Sequence, residues 1–141
     1  MYIEKDGRIA VIAKPFYPAG MYRTPSGGLH DGESLETGAV REAWEETGLR
    51  IRLARYLLRA DVVFVEGARE ITWCTHVFSA TTDDTHIEAI DRREIREARW
   101  AAPSEFAAFG RLMRESTRGG LHYRALLQEQ VAAIHPVFEI A

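Results

Sequence analysis

A proline-free segment, Leu35 to Thr47, is the feature that most constrains how this chain of 141 residues can fold. It is predicted to be a helix, because Ser34 before it is a good N-cap and Gly48 after it is a natural C-terminal stop. One face of such a helix carries three glutamates, spaced three and four residues apart: Glu42, Glu45 and Glu46. Neighbouring carboxylates repel one another, so folding alone gives no reason for this arrangement.

Strands are predicted on both sides of this helix. Runs rich in β-branched or alternating apolar residues predict strands at Arg8 to Lys14, Leu53 to Leu58, Asp61 to Val65, Glu70 to Ala80 and Ala98 to Ala101. A hairpin turn is expected at Glu66 to Gly67, and the loop that holds three of the prolines has room for a short strand at Met21 to Arg23.

Two further helices are predicted in the last third of the chain. One begins at Glu105 with Ser104 as its cap, and the other covers Tyr123 to Ile134 and stops before Pro136. The order of elements predicts an α+β fold, an α/β/α sandwich with a mixed β-sheet between helices, formed as a single domain over residues 1–141.

Composition excludes several classes of protein. With 46% hydrophobic and 28% charged residues, the chain resembles globular domains rather than disordered or fibrous ones. No apolar run approaches the roughly 20 residues that a membrane span needs, and three charged residues lie where a signal peptide would begin its apolar region. Cys74 is the single cysteine, which rules out an intrachain disulfide and a multi-cysteine metal site. We expect a cytoplasmic protein, a monomer or a homodimer, with no membrane partner.

Charge is unevenly distributed, although the formal net charge is only −3. Residues 31–46 contain six acids against one base, Arg41, whereas residues 92–124 contain eight arginines against four glutamates. A divalent cation would relieve the repulsion among the carboxylates, and ligands that are all oxygen favour Mg²⁺ or Mn²⁺ over Zn²⁺. For the glutamates alone, a solvated helix face is the competing interpretation. Codon bias toward arginine is the competing explanation for the many arginines.

The residues around the helix favour the metal interpretation. Arg41 can hold a neighbouring carboxylate through a bidentate pair, and Gly27 and Gly28 allow close backbone approach ahead of the helix. The spacing over residues 27–49 closely resembles the Nudix box, the signature of hydrolases that cleave nucleoside diphosphates linked to another group: Gly27, Glu33, Arg41-Glu42-Ala43, Glu45-Glu46 and Gly48-Leu49. Ala43 stands where the box usually has a bulkier aliphatic residue, and Ser26 stands where many members have a glycine.

The resemblance implies a Nudix fold and a Mg²⁺-dependent pyrophosphohydrolase, with Mn²⁺ as an alternative cofactor. The implied metal ligands are acidic side chains and one backbone carbonyl: Glu42, Glu45, Glu46, Glu33 in an outer or additional shell, and either Ser26 or Gly27. Arg41 would orient Glu42 or Glu45 without touching the substrate. Metal ions bridge pyrophosphate oxygens and lower the pKa of the water that attacks phosphorus, which agrees with an acidic site.

A general base and the cations that bind substrate are expected outside the box. Nudix domains often carry a glutamate shortly before a late strand, and among Glu88, Glu94 and Glu97 we favour Glu94 as the catalytic base. Four arginines near glycine-bearing loops or element ends are candidates to bind the substrate's distal phosphate: Arg23, Arg69, Arg118 and Arg124. A solvated surface position is the competing interpretation for Glu94 and for each arginine.

Two residues of the long predicted strand are expected to be structural. Alternation places Trp73 on the side of Ile71, Thr75 and Val77, which favours a core position over stacking on a base. Cys74 is expected to be a small buried or half-buried residue with no neighbour that activates its thiol.

Three functions are compared. An isopentenyl diphosphate isomerase on the same fold would use a cysteine, but Cys74 lacks a supporting motif. A non-catalytic nucleotide sensor is the alternative to a hydrolase, yet such relatives usually lose the box glutamates that this chain keeps. The hydrolase is preferred, and its small-molecule substrate stays open among nucleoside triphosphates, sugar nucleotides, polyphosphates and modified nucleotides. Nucleic acid is disfavoured because the arginine-rich segment lacks interleaved aromatic residues, although capped RNA remains open.

Overall fold

The computed structural model describes residues 1–139, whose backbone is organised around one mixed sheet. Its five strands are β1 (Tyr2–Lys5), β2 (Arg8–Ala13), β3 (Ile51–Glu66), β4 (Arg69–Thr82) and β5 (Glu97–Ala101). They are arranged in the order β3-β4-β1-β2-β5, so β1 is central and β3 and β5 are the edges. β1 and β4 are parallel, and the other neighbours are antiparallel. The predicted mixed sheet is therefore confirmed.

Helices cover both faces of the sheet. They are α1 (Leu35–Thr47), α2 (Phe106–Glu115) and α3 (Gly119–Ala132), with short 3₁₀ turns at Pro103–Glu105 and Pro136–Phe138. On one face, Ala43 of α1 packs with Ile3 and Ala10. On the other, Phe109 of α2 and Leu121 of α3 belong to a larger apolar cluster with strand residues such as Val11. The predicted α/β/α sandwich follows from this division of the strand side chains between two cores.

Both ends of α1 lie where the sequence predicts them. The Ser34 hydroxyl accepts a hydrogen bond from the Thr37 N–H at 3.1 Å. Gly48 has φ 70°, and its N–H donates to the Trp44 carbonyl at 2.8 Å. A side chain at Gly48 would be strained at that φ and would also meet the carbonyl oxygen of Glu88. The direction of α1, and with it the acidic face, is fixed by these local contacts.

Several predicted boundaries are wrong. β1 has no counterpart in the prediction, and the strands predicted at 53–58 and 61–65 are one continuous strand, because β3 absorbs two register shifts as bulges. The segment Met21 to Arg23 makes only a single bridge, between Arg23 and Ile12. Ser104 does not cap α2; it lies inside a 3₁₀ turn, and α2 begins at Phe106. α3 begins at Gly119 and ends at Ala132, four residues earlier and two residues earlier than predicted.

The hairpin of β3 and β4 extends beyond the rest of the sheet. Its turn at Gly67 confirms the predicted hairpin, and β3 accompanies β4 from Arg69 to Thr82. β1 covers the other edge of β4 only from Ser79 to Thr81. Trp73 lies in the projecting half and is 52% exposed, so its predicted core position is wrong. Alternation assigns its side of the strand correctly, but on that side Tyr123 of α3 contacts Phe64 and Thr75 and leaves Trp73 half exposed.

Among residues 1–139, no helix is long and apolar enough to cross a membrane.

Candidate active site

A cavity of about 620 Å³ opens between the Ser26–Leu29 loop, α1, the projecting half of β4 and the first turns of α3. Six of its lining side chains are charged: Lys14, Arg23, Glu42, Glu46, Glu94 and Arg124. The sequence-predicted residues Ser26 and Gly27 also line it. Residues that are far apart in sequence therefore meet in one place.

Arg41 lies at the centre of a group that we call the Arg41 cluster: Glu33, Arg41, Glu42 and Glu45. The guanidinium donates two hydrogen bonds of 2.8 Å to the two carboxylate oxygens of Glu33. Its third nitrogen, Nη1, donates to Glu42 at 2.8 Å and to Glu45 at 3.2 Å. Nη2, one of the two nitrogens that bind Glu33, also donates to the Gly28 carbonyl at 2.8 Å. One cation thus serves three carboxylates, which leaves the cluster with a formal charge of −2 when all are ionised.

The hydrogen bonds between Arg41 and Glu33 favour the charged forms of both groups. Donation from Arg41, helped by the backbone N–H of His30, lowers the pKa of Glu33 to about 2. The same carboxylates raise the pKa of Arg41 above its usual value. The Glu33 carboxylate is therefore ionised at neutral pH, and Arg41 holds the carboxylates of Glu33, Glu42 and Glu45 in defined orientations.

Glu46 lies on the same face of α1 but does not contact Arg41. Its side chain is buried, with the residue only 3% exposed, and it accepts a hydrogen bond from the Ser26 N–H at 3.3 Å. Burial raises the pKa of Glu46, while the nearby positive charge of Arg23 acts in the opposite direction. A second cation placed beside this carboxylate would favour its ionised form.

The residues present fit a divalent metal. The carboxyl group of Glu42 packs so closely on Gly27 that any side chain there would overlap it. Glycine therefore lets this carboxylate sit beside the backbone that precedes the helix. The available donors are all oxygen, as Mg²⁺ and Mn²⁺ prefer. Within residues 1–139, no three acidic, histidine or cysteine side chains already converge as a metal-binding group, and Arg41 draws the oxygens of Glu33, Glu42 and Glu45 toward itself.

A buried arginine and a half-buried one meet on the other side of the loop, in what we call the Ser26 cluster: Arg23, Ser26, Glu46 and Arg124. Arg23 and Arg124 both donate to the Ser26 hydroxyl, at 2.9 Å and 3.0 Å. Arg23 also donates to the Tyr17 hydroxyl at 2.8 Å and is 5% exposed. Burial lowers the pKa of Arg124 to about 10, and the charge of Arg23 acts in the same direction. Two cations against one carboxylate leave the Ser26 cluster with a formal charge of +1.

The other predicted site residues lie at different distances from this centre. Glu94 lines the cavity, with 63% of its side chain exposed and Lys14 at 3.4 Å. Arg69 lies at the tip of the β3–β4 hairpin, outside the cavity lining. Arg118 also lies outside it, with its guanidinium 4.5 Å from the ring centre of Phe16. The structure therefore brings Arg23 and Arg124 to the carboxylates and leaves Arg69 and Arg118 away from them.

Some site residues were not singled out by the sequence. Lys14 lines the cavity, but no local sequence pattern indicates this, since it follows a strand like many surface lysines.

Cys74 is exposed, so the prediction of a buried or half-buried residue is wrong. Its sulfur lies 3.5 Å from Nε2 of His76, whose Nδ1 lies 2.7 Å from the Tyr56 hydroxyl. The thiol therefore does have a histidine neighbour, which was not expected from the sequence. These three residues lie on one face of the hairpin, where strand alternation places Cys74 and His76 together.

Comparison with known proteins finds similar sequences and similar folds. A family model described as the NUDIX domain matches residues 2–119. The chain is 37% identical over 57 residues to an NAD-capped RNA hydrolase NudC from Chromobacterium violaceum, covering 40% of this chain and 22% of that protein. It is 26% identical to an RNA pyrophosphohydrolase from Novosphingobium aromaticivorans over 74% of this chain and 75% of the relative. The crystal structure of a MutT NUDIX hydrolase from Burkholderia pseudomallei matches with a TM-score of 0.59 and 25% identity over 92% of both chains.

Coverage of the relatives is uneven. The chain spans between 22% and 44% of the length of two NudC proteins and a MutT-like protein from Streptomyces ambofaciens that it matches.

Proposed function

Because the chain belongs to the NUDIX domain family, we propose that it is a divalent-metal-dependent hydrolase that cleaves the diphosphate of a nucleotide-linked substrate. The observation that carries this proposal is the opposed charge of two adjacent clusters, one reaching the cavity through Glu42 and the other lining it with all four residues. The Arg41 cluster has a surplus of carboxylates, and the Ser26 cluster has a surplus of guanidinium groups. Carboxylates suit a divalent cation and guanidinium groups suit phosphate, so the cavity suits a metal-bound diphosphate.

The proposed metal ligands come from α1 and the loop before it. They are Glu42, Glu45, Glu46, with Glu33 in an outer or additional position, and a backbone carbonyl of Ser26 or Gly27. The chemistry that Mg²⁺ or Mn²⁺ supplies when bound is neutralisation of the diphosphate oxygens and a lower pKa for a coordinated water. Arg41 acts as a positioning residue. Two of its nitrogens orient Glu33 through a bidentate pair, and the third orients Glu42 and Glu45.

Glu94 is the proposed general base. Its carboxylate is at the cavity, is mostly exposed to solvent and has Lys14 as its one recorded ion-pair partner among the described residues. In the proposed reaction it takes a proton from the water that attacks phosphorus, and the phosphoanhydride bond breaks. The products are a nucleoside monophosphate and a phosphorylated remainder.

Arg23 and Arg124 are the proposed phosphate-binding residues. Both line the cavity and share one hydroxyl acceptor, so part of their hydrogen-bonding capacity is left for a phosphate. Two relatives are named for RNA substrates, which adds the 5′ end of RNA to the substrates worth testing. The same proposal covers nucleoside triphosphates and sugar nucleotides.

A substrate panel tests this proposal. The purified protein is incubated with nucleoside triphosphates, sugar nucleotides, NAD and 5′-capped or 5′-triphosphate RNA, with Mg²⁺, with Mn²⁺ and with EDTA. We expect phosphate-bearing products from at least one class, only with metal, and none from Glu46→Gln. Binding of a nucleotide by calorimetry with no turnover in any class would instead indicate a nucleotide sensor and would overturn the proposal.

A further inference from the structure

One edge of β4 is left uncovered by the sheet. β3 pairs with β4 along its whole length, whereas β1 covers its second edge only at Ser79–Thr81. From Arg69 to Phe78 that second edge therefore has no strand beside it within the described chain. Alternate backbone N–H and C=O groups along such an edge have no partner in the sheet and are free to bind another molecule.

This free edge forms one wall of the candidate active site. Residues 72–78 all line the cavity, although successive side chains of a strand point to opposite faces. The cavity therefore contacts side chains on both faces of β4. Because it touches both faces, the cavity lies along the edge of the strand. The unpaired backbone groups of β4 therefore face the space in which a substrate would lie.

The wall differs in chemistry from the rest of the cavity. Residues 71–78 include no aspartate, glutamate, lysine or arginine, and the six charged lining side chains all come from other elements. The cavity thus has a charged end, formed by the Arg41 and Ser26 clusters, and a β4 wall without formal charge apart from the titratable His76.

A large aromatic ring stands in this wall. Trp73 is 52% exposed, which is unusual for tryptophan in a strand that continues into the core. Beside it, the Tyr123 hydroxyl of α3 hydrogen-bonds the Thr75 hydroxyl, and its ring packs edge-to-face on Phe64 at 5.6 Å. These contacts join α3 to the β3–β4 hairpin, so the two elements that border the cavity here are packed against each other.

We infer that the free edge of β4 and Trp73 form a subsite for a planar heteroaromatic base. The backbone edge offers adjacent donors and acceptors that match the amide-like edge of a base, and Trp73 offers a flat face for stacking. A base can use both features of this wall at once, whereas a sugar ring can stack on Trp73 but has no amide-like edge to pair with the strand backbone. The inference rests on the proposed function, because it places the base of a nucleotide whose diphosphate lies at the charged end.

Cys74 provides a built-in probe of this subsite. It is the only cysteine of the chain, is exposed, and lies next to Trp73 in the cavity wall. The rate at which iodoacetamide alkylates it is measured by mass spectrometry in EDTA, so that no turnover occurs. Adenosine 5′-monophosphate and ribose 5-phosphate are compared as ligands, because they differ only in the base.

We expect adenosine 5′-monophosphate to slow alkylation of Cys74 several-fold at saturation and ribose 5-phosphate to leave the rate unchanged. Trp73→Ala should weaken the protecting affinity roughly 10-fold, and Trp73→Phe should restore most of it. Trp44→Ala is the matched control, because Trp44 is a similarly exposed tryptophan on α1 that does not line this cavity. Comparing half-protection concentrations removes any change in the intrinsic reactivity of the thiol.

Equal protection by both ligands, protection by neither, or a Trp73→Ala variant with unchanged half-protection would overturn the base subsite. None of these outcomes affects hydrolysis measured separately with Mg²⁺. Conversely, protection by adenosine 5′-monophosphate without hydrolysis of any substrate would leave the subsite standing and overturn the proposed function.

Discussion

The Arg41 cluster, which reaches the cavity through Glu42, and the Ser26 cluster, whose four residues all line it, have opposite charge balance. In the Arg41 cluster one guanidinium is shared among three carboxylates, whereas in the Ser26 cluster two guanidinium groups share one hydroxyl near one buried carboxylate. The Arg41 cluster has surplus negative charge that a cation can neutralise, and the Ser26 cluster has surplus positive charge that an anion can neutralise. The difference indicates that neither cluster is complete alone and that a metal-bound diphosphate would complete both.

The clusters also differ in their hydrogen bonding and in their exposure to solvent. The Arg41 cluster lies at the solvent edge and rests on five hydrogen bonds from one side chain. In the Ser26 cluster Arg23 and Glu46 are buried, so their charges are less screened by solvent. We therefore expect changes in the Arg41 cluster to act mainly through metal binding and changes in the Ser26 cluster to act mainly through substrate binding. The predictions below test that division.

The largest effect is expected from Glu46→Gln. Loss of a metal ligand should lower kcat by about 10²-fold or more, because metal-derived stabilisation of the transition state is worth several kcal/mol. Burial raises the pKa of Glu46, so a neutral glutamine should leave the melting temperature in EDTA unchanged or higher. Glu36→Gln, in the exposed first turn of α1, is the matched control and should keep full activity. A large fall in melting temperature would show a structural role instead.

Glu94→Gln comes next. Loss of the general base should lower kcat by about 10²-fold while the Mg²⁺ concentration needed for activation stays unchanged. Glu88→Gln is the control in the same loop, since Glu88 is paired with Arg92 at 2.8 Å and does not line the cavity. Full turnover by Glu94→Gln with Mg²⁺ present would remove Glu94 from the mechanism.

Arg41→Lys is expected to act through the metal. Lysine keeps the charge but cannot reproduce the fork to Glu33 or hold Glu42 and Glu45 at the same time. The Mg²⁺ concentration for half-maximal activity should rise about 10- to 100-fold, as for other residues that orient metal ligands. Arg50→Lys, which alters an exposed pair with Asp84, should leave metal activation unchanged. If Arg41→Lys changed KM for the nucleotide and not metal activation, the division between the clusters would be wrong.

The smallest effect is expected from Arg124→Lys. KM should rise about 10-fold, which corresponds to one charge-assisted hydrogen bond, while metal activation stays the same. Burial already lowers the pKa of Arg124, and a lysine there would lose its charge more readily. Arg69→Lys and Arg118→Lys test the two arginines outside the cavity and should leave KM unchanged. An equal rise in KM at Arg69 or Arg118 would place the phosphate elsewhere.

How much of the molecule the sequence predicts depends on how local the determining contacts are. α1 lies where it is predicted because its caps, Ser34 and Gly48, act within a few residues. β1 could have been found from Asp6-Gly7, a typical hairpin turn in which both residues have positive φ. α3 begins earlier than predicted because Gly119 and Gly120, which usually weaken helices, form its first turn against their propensity.

The predictability of the two clusters likewise depends on how far apart their residues lie in the sequence. The Arg41 cluster lies within a short stretch of sequence, so helical spacing brings most of it together. The Ser26 cluster depends on a contact between Ser26 and Arg124, 98 residues apart, which no local pattern records. For the same reason the sequence could not separate Arg23 and Arg124 from Arg69 and Arg118. Trp73 was misplaced because alternation gives the side of a strand and not the extent of the layer that covers it.

Hydrolysis in ¹⁸O-labelled water tests the central claim most directly. A substrate cleaved by the wild-type protein is incubated with Mg²⁺ in labelled water, and the masses of both products are measured by mass spectrometry. Attack of water on phosphorus predicts one ¹⁸O atom in one phosphate-bearing product per cleavage, and no products in EDTA. Products formed at the same rate in EDTA, or products whose phosphates carry no label, would contradict the account.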